Sequence, residues 1–164
     1  MPPGESSRPA TSDDLGRIAD LAAQLVREAS AIKGGTLWGI REARAEPYEQ
    51  SYGSLLDRED TCILVGSIDD VVVGFGVAEI QTLRTGQALG VISDLYVEPE
   101  ARAIGVGEEL LVELLEFCRS FGCIGVDASA LPGDRMTKNF FEGHGFTARA
   151  LVMHRATDPS STRA

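Results

Sequence analysis

The stretch Asp94-Leu95-Tyr96-Val97-Glu98-Pro99-Glu100-Ala101-Arg102-Ala103-Ile104-Gly105-Val106-Gly107 decides the fold of this chain. It is typical of a strand that enters a glycine-bearing loop and then opens a helix. The first turn of a helix leaves backbone N–H groups unpaired and carries a partial positive charge, and glycine lets an anion approach the main chain. Arg102 adds a fixed charge. The stretch therefore favours a phosphate-binding turn, although two glycines would also let a helix pack closely on a sheet.

Two common phosphate-binding patterns do not fit this loop. The pattern GxGxxG would need glycine at position 110, where Leu110 stands, and the chain has no Gly-Lys-Ser/Thr sequence. The residues therefore exclude binding of the Rossmann and Walker types.

Helices and strands are predicted on both sides of this segment from hydrophobic periodicity. Helices are predicted over residues 13–30 (with Ser12 as N-cap), 48–57, 105–121 and 134–144, and strands over 61–68, 71–83, 87–97, 123–128 and 146–155. Turns at Asp69-Asp70 and Thr85-Gly86 predict an antiparallel meander. The strand, helix and strand from 91 to 128 should be parallel and right-handed. The predicted fold class is α/β, with a mixed sheet.

The chain has 164 residues, of which 43% are hydrophobic and 24% charged, as in ordinary globular proteins. This length predicts a single domain over residues 8–156 between disordered tails at 1–7 and 157–164. No apolar run approaches the roughly 18–20 residues that a membrane span needs, and the first residues lack a basic and apolar signal pattern. We therefore expect a cytoplasmic protein without a membrane partner.

The formal net charge of −10 shapes the choice of partners. A field of this sign repels nucleic acid and attracts small or peptidic cations. The three cysteines and two histidines lack metal-ligand spacing, so we expect reduced thiols and no metal.

The loop from Arg102 to Gly107, following Leu-Tyr-Val-Glu-Pro, resembles the Arg/Gln-x-x-Gly-x-Gly/Ala loop of the Gcn5-related N-acetyltransferase (GNAT) family. A second block, Phe-Phe-Glu-Gly-His-Gly-Phe at residues 140–146, resembles the Phe-Tyr-Glu-x-x-Gly-Phe segment near the end of the same family. The resemblance extends over residues 8–155, from an opening Arg-Pro-Ala-Thr strand to the closing strand.

This resemblance implies a sheet whose fourth and fifth strands splay apart around acyl-CoA, with helices on both faces. Pantetheine would lie along the main chain of 95–97, and the pyrophosphate would lie on the amides of 102–108. The implied activity is an acyltransferase reaction in which the amine of a small cationic molecule or peptide directly attacks acetyl-CoA. The implied cofactor-binding residues are Leu95, Tyr96, Val97, Arg102, Ala103, Ile104, Gly105, Val106, Gly107, Glu108 and Phe141.

Three positions depart from the family pattern. The tyrosine that often protonates the leaving thiolate is replaced by Phe141, which has no proton to donate. The usual asparagine and alanine of the same helix are matched by Asp134 and Thr137, so we assign these two no cofactor contact. The acidic pair at the end of the fourth strand is Ser93-Asp94, which leaves one carboxylate of two.

Asp94 and Glu79 are the candidate catalytic carboxylates. Strict alternation along the strand predicts that Asp94 shares a face with Ile92 and Tyr96, among apolar neighbours. Its carboxylate either accepts backbone hydrogen bonds at a bulge or acts on the substrate as a base. Glu79, on the preceding strand, either faces water or shares that role.

Two further possibilities stay open. Without a tyrosine at position 141, the chain is also compatible with an acetyl-CoA-binding regulatory or interaction module with weak or no catalysis. The resemblance is also compatible with a homodimer, which the sequence does not decide.

Overall fold

The computed structural model describes residues 4–158. Within this range the chain divides into two compact units, one formed by residues 4–25 and 44–129 and the other by 26–43 and 130–158. The single domain expected over residues 8–156 stays a prediction. Among the described residues, no helix combines the length and the apolar character that a membrane crossing requires.

The first unit is built on a five-stranded sheet in the order β1-β2-β3-β4-β5. Its strands are β1 (Glu5–Pro9), β2 (Thr61–Ile68), β3 (Val71–Thr82), β4 (Ala88–Val97) and β5 (Val126–Ala128). The first four strands pair antiparallel, whereas β5 is parallel to β4. The predicted mixed sheet is confirmed.

Five α-helices accompany the strands in the described residues. They are α1 (Leu15–Ser30), α2 (Gly35–Arg41), α3 (Tyr48–Gly53), α4 (Val106–Ser120) and α5 (Arg135–Gly143). Helix α1 starts in the first unit and ends in the second, which also contains α2 and α5. No element was predicted over the residues of α2.

Helices cover both faces of the sheet in the first unit. On one face, α4 packs so closely that a Cβ on Gly76 would lie 2.9 Å from Leu114, and one on Gly90 would lie 2.4 Å from the Cys118 Sγ atom. On the other face, Ile18 of α1 and Tyr52 of α3 form one buried cluster with strand residues such as Phe75. Burial of apolar surface from two sides stabilises the sheet.

Several predicted boundaries were wrong. Residues 5–7, expected in a tail, belong to β1 and pair with β2; residues 1–3 and 159–164 lie outside the described range. A 3-10 turn over Ser12–Asp14 precedes α1, and its N-cap is Thr11 rather than the predicted Ser12; the Thr11 N–H donates to the Asp14 carboxylate over 2.8 Å.

The two C-terminal strands also differ from prediction. Strand β5 begins at Val126 instead of Cys123, because the Cys123 N–H still bonds to the Cys118 carbonyl at the end of α4. The closing strand expected over 146–155 is absent from the described residues, where this stretch has no regular secondary structure. A strand needs a partner for its backbone groups, and β-propensity alone does not supply one.

We predict opposite effects for alanine at two glycines of α2. A Cβ on Gly35 would lie 1.6 Å from the Ala29 carbonyl oxygen, whereas one on Gly39 would lie 3.6 Å from Val26. Gly35→Ala should therefore destabilise the protein by about 1–3 kcal/mol or more. Gly39→Ala should stabilise it by up to about 0.5–1 kcal/mol, because alanine favours the helix. Urea denaturation of both variants measures the difference, and equal effects would contradict this packing.

Candidate active site

A β-bulge in β4 organises the candidate active site. Val77 of β3 lies opposite Asp94, whereas Ala78 lies opposite Ile92, so Ser93 is the extra residue. Opposed residues share a face of the sheet, and the alternation of side chains restarts after the bulge. The prediction that Ile92 shares the face of Asp94 was therefore wrong. Asp94 instead shares its face with Glu79, which lies two residues from Val77 on β3.

Arg44 joins these two carboxylates. Its Nη2 atom donates to Glu79 Oε1 over 2.7 Å and to Ser93 Oγ over 3.0 Å. Its Nε atom lies 3.4 Å from Asp94 Oδ1. Burial alone would lower the pKa of Arg44, but the charges of Asp94 and Glu79 outweigh it and hold the pKa above its usual range. Arg44 is therefore a cation fixed between the two predicted catalytic residues.

Asp94 is buried and its two oxygens are occupied. The Tyr52 hydroxyl donates to Oδ2 over 2.6 Å, and the Ser93 hydroxyl donates to Oδ1 over 2.7 Å. Burial, followed by the charge of Asp94, raises the pKa of Tyr52 far above its ordinary value, so this hydroxyl stays protonated as a donor. The bulge anticipated for Asp94 exists, but side chains rather than backbone amides satisfy the carboxylate.

Sequence reasoning missed Arg44 and Tyr52. A carboxylate predicted on an apolar face demands a cation and hydrogen-bond donors. This requirement predicts a basic residue near Asp94, but it does not identify which of the 15 lysines and arginines that residue is. Arg44 follows α2 in the stretch where the pattern was least informative, and only the fold brings it to β3 and β4.

The predicted cofactor-binding loop follows β4 directly. The Arg102 Nε atom donates to the Val97 carbonyl over 2.8 Å, and its guanidinium lies 5.5 Å from the centre of the Tyr96 ring. Tyr96 is buried, and its hydroxyl donates to Gln24 over 3.3 Å. Arg102 thus connects the loop to the end of β4, and the Val97 carbonyl already accepts a hydrogen bond from it.

The loop enters α4 through two left-handed residues, Ala103 (φ 64°) and Gly105 (φ 115°). The Glu109 N–H donates to the Gly105 carbonyl over 3.0 Å, so the amides of 106–108 precede the first hydrogen bond of the helix. Strand β5 pairs with β4 only over Gly90–Ile92, and β4 continues beyond it to Val97. A helix N-terminus that follows the part of β4 beyond its pairing with β5 is an arrangement that can take a pyrophosphate on an extended chain.

Phe141 lies in α5 of the second unit. Its buried ring contacts Phe140 and Phe146, with ring centres 5.5 Å and 5.0 Å away. His144 caps the same helix, and its Nδ1 atom lies 2.8 Å from the Phe140 carbonyl oxygen. In this unit Phe141 is part of an aromatic cluster.

Metal and thiol chemistry find no support in the described residues. No group of three or more His, Cys, Asp or Glu side chains there could hold a metal ion. The three cysteines are free, and burial raises the pKa of Cys62 and of Cys118 to about 11 each. Such thiols are poor nucleophiles at neutral pH.

The acetyltransferase (GNAT) family model matches residues 25–146, well over half of the chain. The chain therefore belongs to the GNAT acetyltransferase family. A curated relative, glucosamine 6-phosphate N-acetyltransferase of Trypanosoma brucei brucei, is 38% identical over 70 residues, which are 43% of this chain and 46% of that protein. The match thus spans about half the length of this relative.

Solved structures share the fold. Glucosamine-6-phosphate N-acetyltransferase from Arabidopsis thaliana superimposes with a TM-score of 0.70 at 18% identity, covering 94% of this chain and 99% of that one. The aminoglycoside N-acetyltransferase AAC(6')-Iy in complex with CoA gives a TM-score of 0.74 at 15% identity, covering 96% and 98%. The mixed sheet with parallel β4 and β5 is thus a GNAT fold.

We predict that Arg44 and Asp94 are energetically coupled. Arg44→Gln should cost about 3 kcal/mol, because Asp94 stays buried without its cation. This figure is at the low end for buried pairs, since 20% of the Arg44 side chain is exposed. Arg44→Gln/Asp94→Asn should recover at least about 1 kcal/mol relative to the sum of the single variants. Urea denaturation of all four proteins measures the coupling, and additive losses would contradict it.

Proposed function

We propose that this protein is an acetyl-CoA-dependent N-acetyltransferase that acts on the amine of a small cationic molecule or peptide. The observation that carries the proposal is the convergence of Glu79 and Asp94 at the bulge of β4, the strand that leads into the predicted acetyl-CoA loop. Membership of the GNAT family supports the acetyl transfer. The proposal includes a cytoplasmic location, as expected from the sequence, and allows a homodimer.

The residues of the loop suit acetyl-CoA. The amides of 106–108 and the charge of Arg102 would hold the pyrophosphate, and the β4 main chain beyond Ile92 would lie along the pantetheine. The remaining predicted contacts, Ala103, Ile104 and Gly105, shape the loop. Acetyl-CoA supplies an acetyl group activated as a thioester. No covalent protein intermediate is needed, in agreement with the high thiol pKa of Cys62 and Cys118.

The charge of the site favours a cationic acceptor. Two carboxylates share one arginine, so the cluster of Arg44, Glu79 and Asp94 carries a formal charge of −1. The overall charge of −10 acts in the same direction. The amine must lose a proton before it attacks, and Glu79 and Asp94 are the two candidate groups for accepting it.

The amines to be tested as acceptors are chosen from the charge of the site and from the names of the similar proteins. Glucosamine 6-phosphate and aminoglycosides, named for two of the similar proteins, are both amino sugars. We therefore place them beside polyamines, amino acids and basic peptides. A free-thiol release assay with acetyl-CoA and each acceptor tests the proposal.

We predict that turnover with the best acceptor rises with pH towards 8–9, because the neutral amine is the nucleophile. Salt should raise KM for the amine more than KM for acetyl-CoA, because screening weakens attraction of a cation. Asp94→Asn should lower kcat/KM for the amine and spare acetyl-CoA binding. Salt-insensitive kinetics, or preference for a neutral or anionic acceptor, would contradict the proposed substrate class.

Acetyl-CoA should stabilise the fold. A ligand at 100 times its Kd adds about 2.7 kcal/mol, which is roughly 5–11 °C in Tm for a protein of this size. Gly105→Glu should abolish this shift, because it places a carboxylate where the pyrophosphate is expected. Gly86→Glu is the matched control, since Gly86 is also left-handed (φ 86°) and has open space around it. A Gly105→Glu protein with a normal shift would refute the loop assignment.

Phe141→Tyr tests how the leaving thiolate gains its proton. With no hydroxyl at position 141, we expect water or another group of the site to protonate the thiolate. The tyrosine variant should then keep wild-type turnover or gain up to about 10²-fold, with little change in acetyl-CoA affinity. A large loss in a folded variant would show that the phenyl ring itself is required. Acetyl-CoA binding without turnover on any acceptor would favour the regulatory module.

A further inference from the structure

We propose that Arg44 is a positioning residue that gives the two carboxylates different roles. In this assignment Glu79 takes the proton of the acceptor amine, and Asp94 acts only by holding Arg44. The inference rests on the proposed function and deepens it, because it names which carboxylate touches the substrate.

Asp94 is poorly placed to accept a proton from a substrate. Its side chain is only 7% exposed. The Tyr52 hydroxyl occupies Oδ2, the Ser93 hydroxyl occupies Oδ1, and the Arg44 cation lies on the Oδ1 side. A base must come within hydrogen-bond distance of the proton it removes. An amine would have to displace one of these partners before it could reach Asp94.

Glu79 has the opposite environment. Its side chain is 27% exposed, and Arg44 Nη2 donates to its Oε1 atom. Across the described residues, no hydrogen bond to its Oε2 atom is found. Glu79 therefore combines a fixed orientation with an oxygen that can receive a proton from a molecule entering from solvent.

The shape of arginine makes this arrangement possible. Nη2 reaches Glu79 and Ser93 while Nε faces Asp94, and the guanidinium lies 5.6 Å from the centre of the Tyr52 ring. A lysine has one nitrogen, so it cannot reach both carboxylates with the same geometry. The guanidinium is thus fixed in position by Asp94, Ser93 and Tyr52, and it in turn orients Glu79.

The proton balance is simple. The ammonium group of the acceptor transfers one proton to Glu79, and the neutral nitrogen attacks the thioester carbonyl carbon. The new C–N bond forms, the C–S bond breaks, and the second nitrogen proton ends on the thiolate through water. Glu79 then releases its proton to solvent, so the net products are the acetamide, CoA thiol and one proton.

Other charged groups lie around Glu79. Arg44 approaches from the connection before α3, and Asp94 with its donor Tyr52 lies on the same face. Arg58, paired with Asp60 before β2, interacts with Glu79 electrostatically. Because half of the Arg58 side chain is exposed (50%), solvent screens it, and Arg44 remains the main cation.

The test compares kcat and KM for five proteins with one amine. These are wild type, Glu79→Gln, Asp94→Asn, Arg44→Lys and Arg44→Gln. We expect Glu79→Gln to lose at least about 10²-fold in kcat. We expect Asp94→Asn and Arg44→Lys to lose about 10-fold or less but measurably. Arg44→Gln should lower kcat more than Arg44→Lys does and leave KM for acetyl-CoA unchanged, because Glu79 loses the donor that fixes its orientation.

A double variant separates positioning from a direct role. If Asp94 acts only through Arg44, Arg44→Gln/Asp94→Asn should have the same kcat as Arg44→Gln alone. This variant also removes the unpaired buried charge and so protects the test against misfolding. Arg119→Gln is the matched control, since it breaks an exposed arginine–glutamate pair and should leave all parameters unchanged. Circular dichroism and the acetyl-CoA thermal shift verify each fold.

Three results would overturn the inference. They are near-normal kcat in Glu79→Gln, wild-type kcat and KM in Arg44→Lys, and a further loss of about 10-fold or more when Asp94→Asn is added to Arg44→Gln. Each requires a wild-type enzyme that turns over. Absence of wild-type turnover with acetyl-CoA bound would instead refute the proposed function, so the two failures are distinguishable.

Discussion

A carboxylate buried against a β-sheet is the constraint on which the site depends. Removing a charge from water is costly unless a cation and hydrogen bonds replace the solvent. Asp94 meets this demand with Arg44, Tyr52 and Ser93, which come from three parts of the first unit. The charge of Asp94 therefore holds together three elements: the connection before α3, helix α3 itself and the bulge of β4.

The bulge at Ser93 links this constraint to the shape of the sheet. A bulge adds a residue, bends its strand and increases the local twist. Pairing between β4 and β5 ends at Ile92, immediately before Ser93. The same extra residue therefore turns Asp94 towards Glu79 and lies directly beyond the last residue of β4 that pairs with β5. The end of this pairing and the polar cluster thus fall at one position of one strand.

Local patterns predicted most of the elements, and long-range contacts explain the rest. Strand β2 has the predicted ends, because Asp69-Asp70 and the alternating residues around it act within a few positions. Ile92 was placed on the wrong face, because a bulge interrupts alternation without a local signature. Arg44 and Tyr52 were missed, because their partner Asp94 is 50 and 42 positions away in the sequence. The stretch 146–155 has the composition of a strand, but composition does not provide a neighbouring strand.

The origin of Arg44 has a consequence for how such a protein can diversify. The cation of the site comes from an irregular connection, while the carboxylates and the loop into α4 belong to the sheet and its following helix. Connections tolerate insertions and substitutions that strands do not. Substitutions in residues 42–47 can therefore change Arg44 and its hold on Glu79 while β3, β4 and the loop into α4 keep their geometry, so that two parts of the proposed site can change independently within one chain.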